Sequence, residues 1–224
     1  MRVYGPVKII VLVLSAILAM GLGAELVRTV FPLREAFSRP GLFFLAGALV
    51  FAVASQFITL PSAIYVFGHE LTHALAVLIS GGKVTSFKVR SSGGMVTATE
   101  SNSFIALAPY FLPVYTVIIV AVYNLIDIFI PMAGMRTLYY FLLGVSYGFH
   151  IGCTAAYTRS YQPDLRDEGI VFSTVMIVLA NLIVLTLVMK LLFANFDLYR
   201  FYVGAFRDIW FAASGLFRWL ALLH

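Results

Sequence analysis

Apolar residues fill this chain in long runs, and polar residues gather in short breaks between them. A helix that crosses a bilayer needs about 20 mainly apolar residues, and the runs have that length. The first covers residues 7–27. Arg2 and Lys8 precede its most apolar part as in a signal peptide, but the run continues through Gly23 and Ala24 and reads as a retained first span. A polar connection over 28–40, with Arg28, Arg34, Glu35 and Arg39, leads to a second run at 41–59. Pro61 then interrupts the pattern. Proline suits the first turn of a helix and breaks an interior one. A third helix is therefore expected to start at Pro61–Ser62 and to stop at Ser80-Gly81-Gly82, a glycine stop signal.

Between Lys83 and Ser103 the pattern changes. Val84, Phe87, Val89 and Val96 are interspersed with Thr, Ser, Lys and Arg around Ser91-Ser92-Gly93-Gly94. This predicts a β-hairpin with strands near 84–90 and 95–99. Helical runs resume at 104–129, where Pro109 and Pro113 should irregularise the first half, then at 136–157 and at 170–193. The run at 136–157 carries Gly144, Ser146, Gly148, Gly152 and Ala155, small residues that let membrane helices approach closely. A polar linker occupies 158–169. Residues 195–224 mix Arg200, Arg207, Asp208 and Arg218 with Phe, Tyr and Trp. They read as an amphipathic interfacial helix, with a seventh span as the alternative. The expected fold is an all-α polytopic membrane protein. It has about six transmembrane helices, a small β-hairpin after the third and an amphipathic C-terminal helix. A single membrane-embedded domain over 1–224 is expected, with its core at 41–193, a first span and loop in 1–40 and an interfacial tail in 194–224.

Composition agrees with that pattern. The chain is 62% hydrophobic and 11% charged, with a mean hydropathy of +0.98, whereas soluble domains are about 45–50% apolar and about 25% charged. The net charge of +5 is spread over the ends of the runs. It suits headgroup anchoring, so the lipid bilayer is an expected partner. No Lys/Arg run of a nucleic-acid-binding arm is present, so no nucleic acid is expected as a partner. The single cysteine, Cys153, excludes an intramolecular disulfide and a Cys-rich zinc site.

One stretch carries candidate chemistry. His69-Glu70-Leu71-Thr72-His73 has the spacing H-E-x-x-H. On a helix, positions i and i+4 share a face about 6 Å apart, so both imidazoles can reach one metal ion. Glu70 follows the first histidine and can take a proton from water at the metal, the zinc-protease arrangement. One Zn²⁺ per chain is the expected cofactor. His69 lies about 12 Å and His73 about 18 Å along the helix from Pro61. In a hydrocarbon core about 30 Å thick, both sit near mid-depth, and water must reach them through a protein-lined cavity. Ionisable groups at such depth are costly and usually mark function.

A zinc site with an open position needs a third protein ligand. His150, within a run, is chemically a good ligand; it could equally make an interhelical hydrogen bond. Asp164 follows Pro163 just before a helix and could turn toward a bundle core; it could equally cap that helix. These two alternatives stand side by side on the residues alone. Asn181, midway along the last run, is a possible oxyanion or supporting partner or a helix–helix hydrogen-bonding group.

The motif in an apolar helix is followed by a glycine-containing hairpin, by Ala106-Leu107-Ala108-Pro109, and by a distal Asp before a Gly and a further helix. In this the chain resembles the site-2 protease family of intramembrane zinc metalloproteases (the M50 class), as a divergent member. The resemblance spans about residues 60–185. It implies peptide-bond hydrolysis in membrane-spanning protein or peptide substrates. It also implies an Asp as third ligand, usually in an Asn/Leu-Pro-x-Asp-Gly-like motif at a helix start. Gln162-Pro163-Asp164-Leu165 is the nearest match, so Asp164 inherits that role, with His150 as the alternative. Here no Gly follows the Asp directly, Gly169 comes later, and Ala108-Pro109 replaces a Gly-Pro step. Glu70 is then the catalytic base. Val84, Val89 and Val96 mark the hairpin as the candidate substrate-binding segment, where an edge strand could pair with an unwound substrate. A zinc-binding scaffold or chaperone without proteolysis, and a metal transporter, are the competing readings. An intact Glu70 counts against the first, and the scarcity of further intramembrane acidic or histidine residues against the second.

Overall fold

The protein was analysed as a computed structural model that describes residues 5–30, 37–57, 62–90, 93–158 and 163–221. The apolar runs are helices: α1 (Gly5–Val30), α2 (Arg39–Phe57), α3 (Ser62–Ile79), α4 (Ser103–Leu107), α5 (Val114–Phe129), α6 (Arg136–Tyr157), α7 (Pro163–Glu168), α8 (Ile170–Leu192) and α9 (Leu198–Ala221). Strands β1 (Val84–Arg90) and β2 (Gly93–Ala98) form the expected antiparallel hairpin, with Lys88 opposite Met95 and Val89 opposite Gly94.

Among the described residues three helices are long and apolar enough to cross a membrane: Gly5–Thr29, Arg39–Phe57 and Ile170–Leu192. The run at 104–129 is not one kinked helix. It is α4, a 3-10 turn at Ala108–Tyr110, and α5, with a bend of 76° between the two halves. Both prolines account for this: Pro109 lies inside the 3-10 turn, and Pro113 caps α5 with a ψ of 75° that no helix continues. The other two expected spans are helical but differ in character. The apolar part of α3, Ala63–Ile79, is shorter than a span, and α6 is diluted by Arg136 and by Gly, Ser, Tyr and His side chains.

The described residues fall into two compact units: Ser38–Thr174 is one, and the described parts of Val3–Phe37 and Val175–His224 make the other. Within the first, α2 packs along α6 on glycines. A Cβ on Gly144 would lie 2.8 Å from the Phe44 carbonyl carbon and 3.0 Å from Ala48 N, and one on Gly47 would lie 2.9 Å from Val145 N. Helix α3 ends in a Schellman motif. Gly81 takes φ +80° and donates to Leu78 O, while Gly82 donates to Val77 O. The last turns of α3 bury Ala76 and Val77 against Ile105 and Ala108, with Val84, Ala98 and Phe111 packed on that cluster. This packing fixes the hairpin to the helix that carries the histidines. In the second unit α9 buries one face and exposes large apolar residues on another. Phe201, Gly204 and Ala205 are buried while Tyr199, Val203, Phe206 and Trp210 are exposed. Its Asp208 pairs with Arg28 of α1.

Candidate metal centre

His69, Glu70 and His73 are held by one continuous helix, so their mutual placement follows from helix geometry alone. The two histidines face each other, with Nε2 atoms 3.2 Å apart. Asp164 joins them from α7, its Oδ2 lying 3.5 Å from His69 Nε2 and 3.6 Å from His73 Nε2. Among the described residues these three form the one group of His, Cys, Asp and Glu ligand atoms close enough to hold an ion. For metal–ligand bonds of about 2.0–2.2 Å, tetrahedral ligand atoms stand about 3.4 Å apart. The observed spacings of 3.2, 3.5 and 3.6 Å fit that figure, and an N₂O donor set suits Zn²⁺ with one position left open.

Each ligand is also oriented from behind, as metal ligands generally are. His73 Nδ1 donates to Ile105 O at 2.8 Å, which leaves Nε2 free for a metal. Tyr65 OH lies 3.3 Å from His69 Nδ1, one helical turn earlier on the same face. Tyr110, 1% exposed, donates its hydroxyl to Asp164 Oδ2 at 3.4 Å. Helix α7 is itself anchored. Leu165 is buried, Glu168 accepts from Ser103 Oγ at 2.7 Å, and Gly169 at φ +90° makes the break before α8. Burial acts to raise the Asp164 carboxyl pKa, but hydrogen bonds from His69 and His73 outweigh it and hold the group well below the usual carboxylate range.

Glu70 is buried beside the histidines. A cavity of about 1270 Å³ opens over His69, Glu70, His73 and Asp164 and runs along β2. Gly93–Ala98 line it, so Val96 borders the cavity, whereas Val84 packs in the core beneath and Val89 pairs with Gly94 on the far strand. The cavity-facing strand is thus β2, and neither Val84 nor Val89 of β1 lines the cavity.

His150, the alternative ligand, is buried on α6 and is not part of the ligand-atom group; it lines a small cavity of about 30 Å³ that Tyr65 and His69 also border. Asn181 lies in the second unit, where its amide donates to Ile177 O at 2.9 Å within α8. Reading the motifs missed Tyr65, Tyr110 and Ile105. Tyr65 could have been found from its i−4 spacing to His69, whereas nothing local marks the other two. Neither a family model, nor a curated protein, nor a solved structure matches the chain.

Proposed function

We propose that this chain is an intramembrane zinc metalloprotease of the site-2 protease kind, a multi-pass integral membrane protein. In this reading α1, α2, α3, the bent α4–α5 pair, α6 and α8 traverse or enter the bilayer, while α9 lies at its surface. The observation that carries the reading is the His69–His73–Asp164 triangle with Glu70 beside it at the floor of a cavity. Zinc held there supplies Lewis acidity toward a peptide carbonyl and makes water a nucleophile near neutral pH. Glu70 takes the proton from the attacking water and passes it to the leaving amide nitrogen. His73 and His69 are kept in the right tautomer by Ile105 O and Tyr65 OH. A helical substrate must unwind to expose its carbonyls, and β2 offers an extended strand along the cavity for the unwound segment.

The test is to purify the full chain in detergent, count zinc per chain, and assay a model transmembrane substrate with wild type and Glu70→Gln. The expected outcome is one zinc in both proteins and cleavage by the wild type only. Equal cleavage by both, or none by a zinc-loaded wild type, would overturn the reading.

A further inference from the structure

We infer that Gly94 is a positioning residue for Glu70 and acts by having no side chain. The inference rests on Glu70 being the base of the reaction proposed above. A Cβ built on Gly94 would lie 2.7 Å from Glu70 Cδ and 2.7 Å from Oε1, and nearer still to Cγ. These are the three nearest atoms, and all belong to Glu70. The two adjacent glycines differ in what they are for. Gly93 needs its freedom of conformation, with φ +144°, whereas Gly94 is not among the positive-φ glycines. An L-residue fits the backbone at 94, and only the space taken by Glu70 forbids it.

The strand cannot back away to make room. Gly94 is paired with Val89 of β1, and the hairpin is pinned to α3 by Val84 and Ala98 on the Ala76–Val77 cluster. A methyl group at 94 is therefore accommodated by rotation of the Glu70 side chain out of its place beside the histidines. The three atoms the methyl meets first belong to Glu70 and none to His69, His73 or Asp164, so the clash falls on the acid rather than on the ligand group. Gly94→Ala should then separate two properties that usually fail together: zinc is kept and turnover is lost. Misplacing a reacting group by about 1 Å costs about 10²-fold in rate, and a general base contributes about 10²–10⁴-fold.

Two measurements on the full chain test this. The first is independent of activity. In a Cys153→Ser background, Glu70→Cys with Gly94→Cys should form a disulfide on mild oxidation, since the geometry brings the two Cβ atoms within about 4 Å, the separation a disulfide needs. Glu70→Cys with Met95→Cys should not. The second compares zinc content and steady-state cleavage of a model transmembrane substrate for wild type, Gly94→Ala, Glu70→Asp and the double variant. Gly94→Ala should bind zinc as wild type does, with kcat down about 10²-fold and KM within about twofold. Adding Gly94→Ala to Glu70→Asp should cost less than about fivefold, because the shorter acid leaves the methyl room. The inference fails if no 70–94 disulfide forms, if Gly94→Ala loses its zinc, if its kcat stays within about threefold, or if it loses the same factor in both backgrounds. A wild type that binds zinc but cleaves nothing, with the 70–94 disulfide formed in the double-cysteine variant, overturns the protease reading and leaves the Gly94–Glu70 contact standing.

Discussion

Tyr110→Phe removes one oxygen from behind Asp164, the third member of the proposed zinc site, and changes nothing else in shape. Tyr110 is 1% exposed, and its hydroxyl reaches Asp164 Oδ2 at 3.4 Å, the same oxygen that faces both histidines. A hydrogen bond to a charged group nets about 1.5–3 kcal/mol. The contact is longer than the usual O–H···O distance of about 2.5–3.0 Å, so its worth falls at or below the low end, about 1–1.5 kcal/mol. That converts to roughly a tenfold loss of zinc affinity, in line with the effect of removing one outer partner of a ligand. The assay is competition against a fluorescent zinc chelator in detergent micelles. Tyr123→Phe serves as control, since its hydroxyl donates to Met132 O at 3.0 Å and does not border the cavity. The expected result is about tenfold weaker zinc binding for Tyr110→Phe and no change for the control. An affinity within twofold of wild type, or an equal loss in the control, would refute the reasoning.

Other outcomes follow from the same structure. Gly144→Ala pushes a methyl into the backbone of α2 at Phe44 and Ala48, which cannot rotate away; a loss of about 1–3 kcal/mol is expected in detergent unfolding, and an unchanged midpoint would contradict the close α2–α6 seam. Gly81→Ala forces a Cβ onto φ +80° and should cost about 1–2 kcal/mol with zinc binding unaltered, read by the same unfolding assay. Without metal, Asp164 titrates below its ordinary value in the folded chain, so the stability it contributes is present above the unfolded value of about 3.9 and is lost as pH falls below it. The thermal midpoint gap between wild type and Asp164→Asn should thus persist at pH 5 and shrink on further acidification, and a gap that grows instead would show the sign to be wrong. Stripping zinc with a chelator should abolish cleavage, and added Zn²⁺ should restore it, because the ligands must be free and deprotonated to rebind.

Local signals announced most of the elements. The stop at Gly81-Gly82, the hairpin over 84–98 and the ends of α6 fall where glycine, β-branched and small-residue patterns put them, because each depends on neighbours within a few residues. The H-E-x-x-H spacing likewise needed only the period of a helix. In the run at 104–129 the two prolines announce an irregular first half but not its form, since two prolines in one run can kink a helix or divide it, and packing of Ile105 and Ala108 against α3 accompanies the division.

What the chain by itself determined is therefore the local chemistry: an apolar helix carrying His69, Glu70 and His73 on one face, and a strand pair beside it. Only tertiary structure decided what completes the site. Asp164 stands 91 positions from His73 in the chain, and His150 was an equal candidate until α7 brought the carboxylate within 3.6 Å of His73 and α6 left the imidazole outside the ligand-atom group. Tyr110 behind Asp164 and Gly94 over Glu70 are likewise invisible to any local pattern. Their roles consist of distances between segments, and those distances are set by how the helices and hairpin pack.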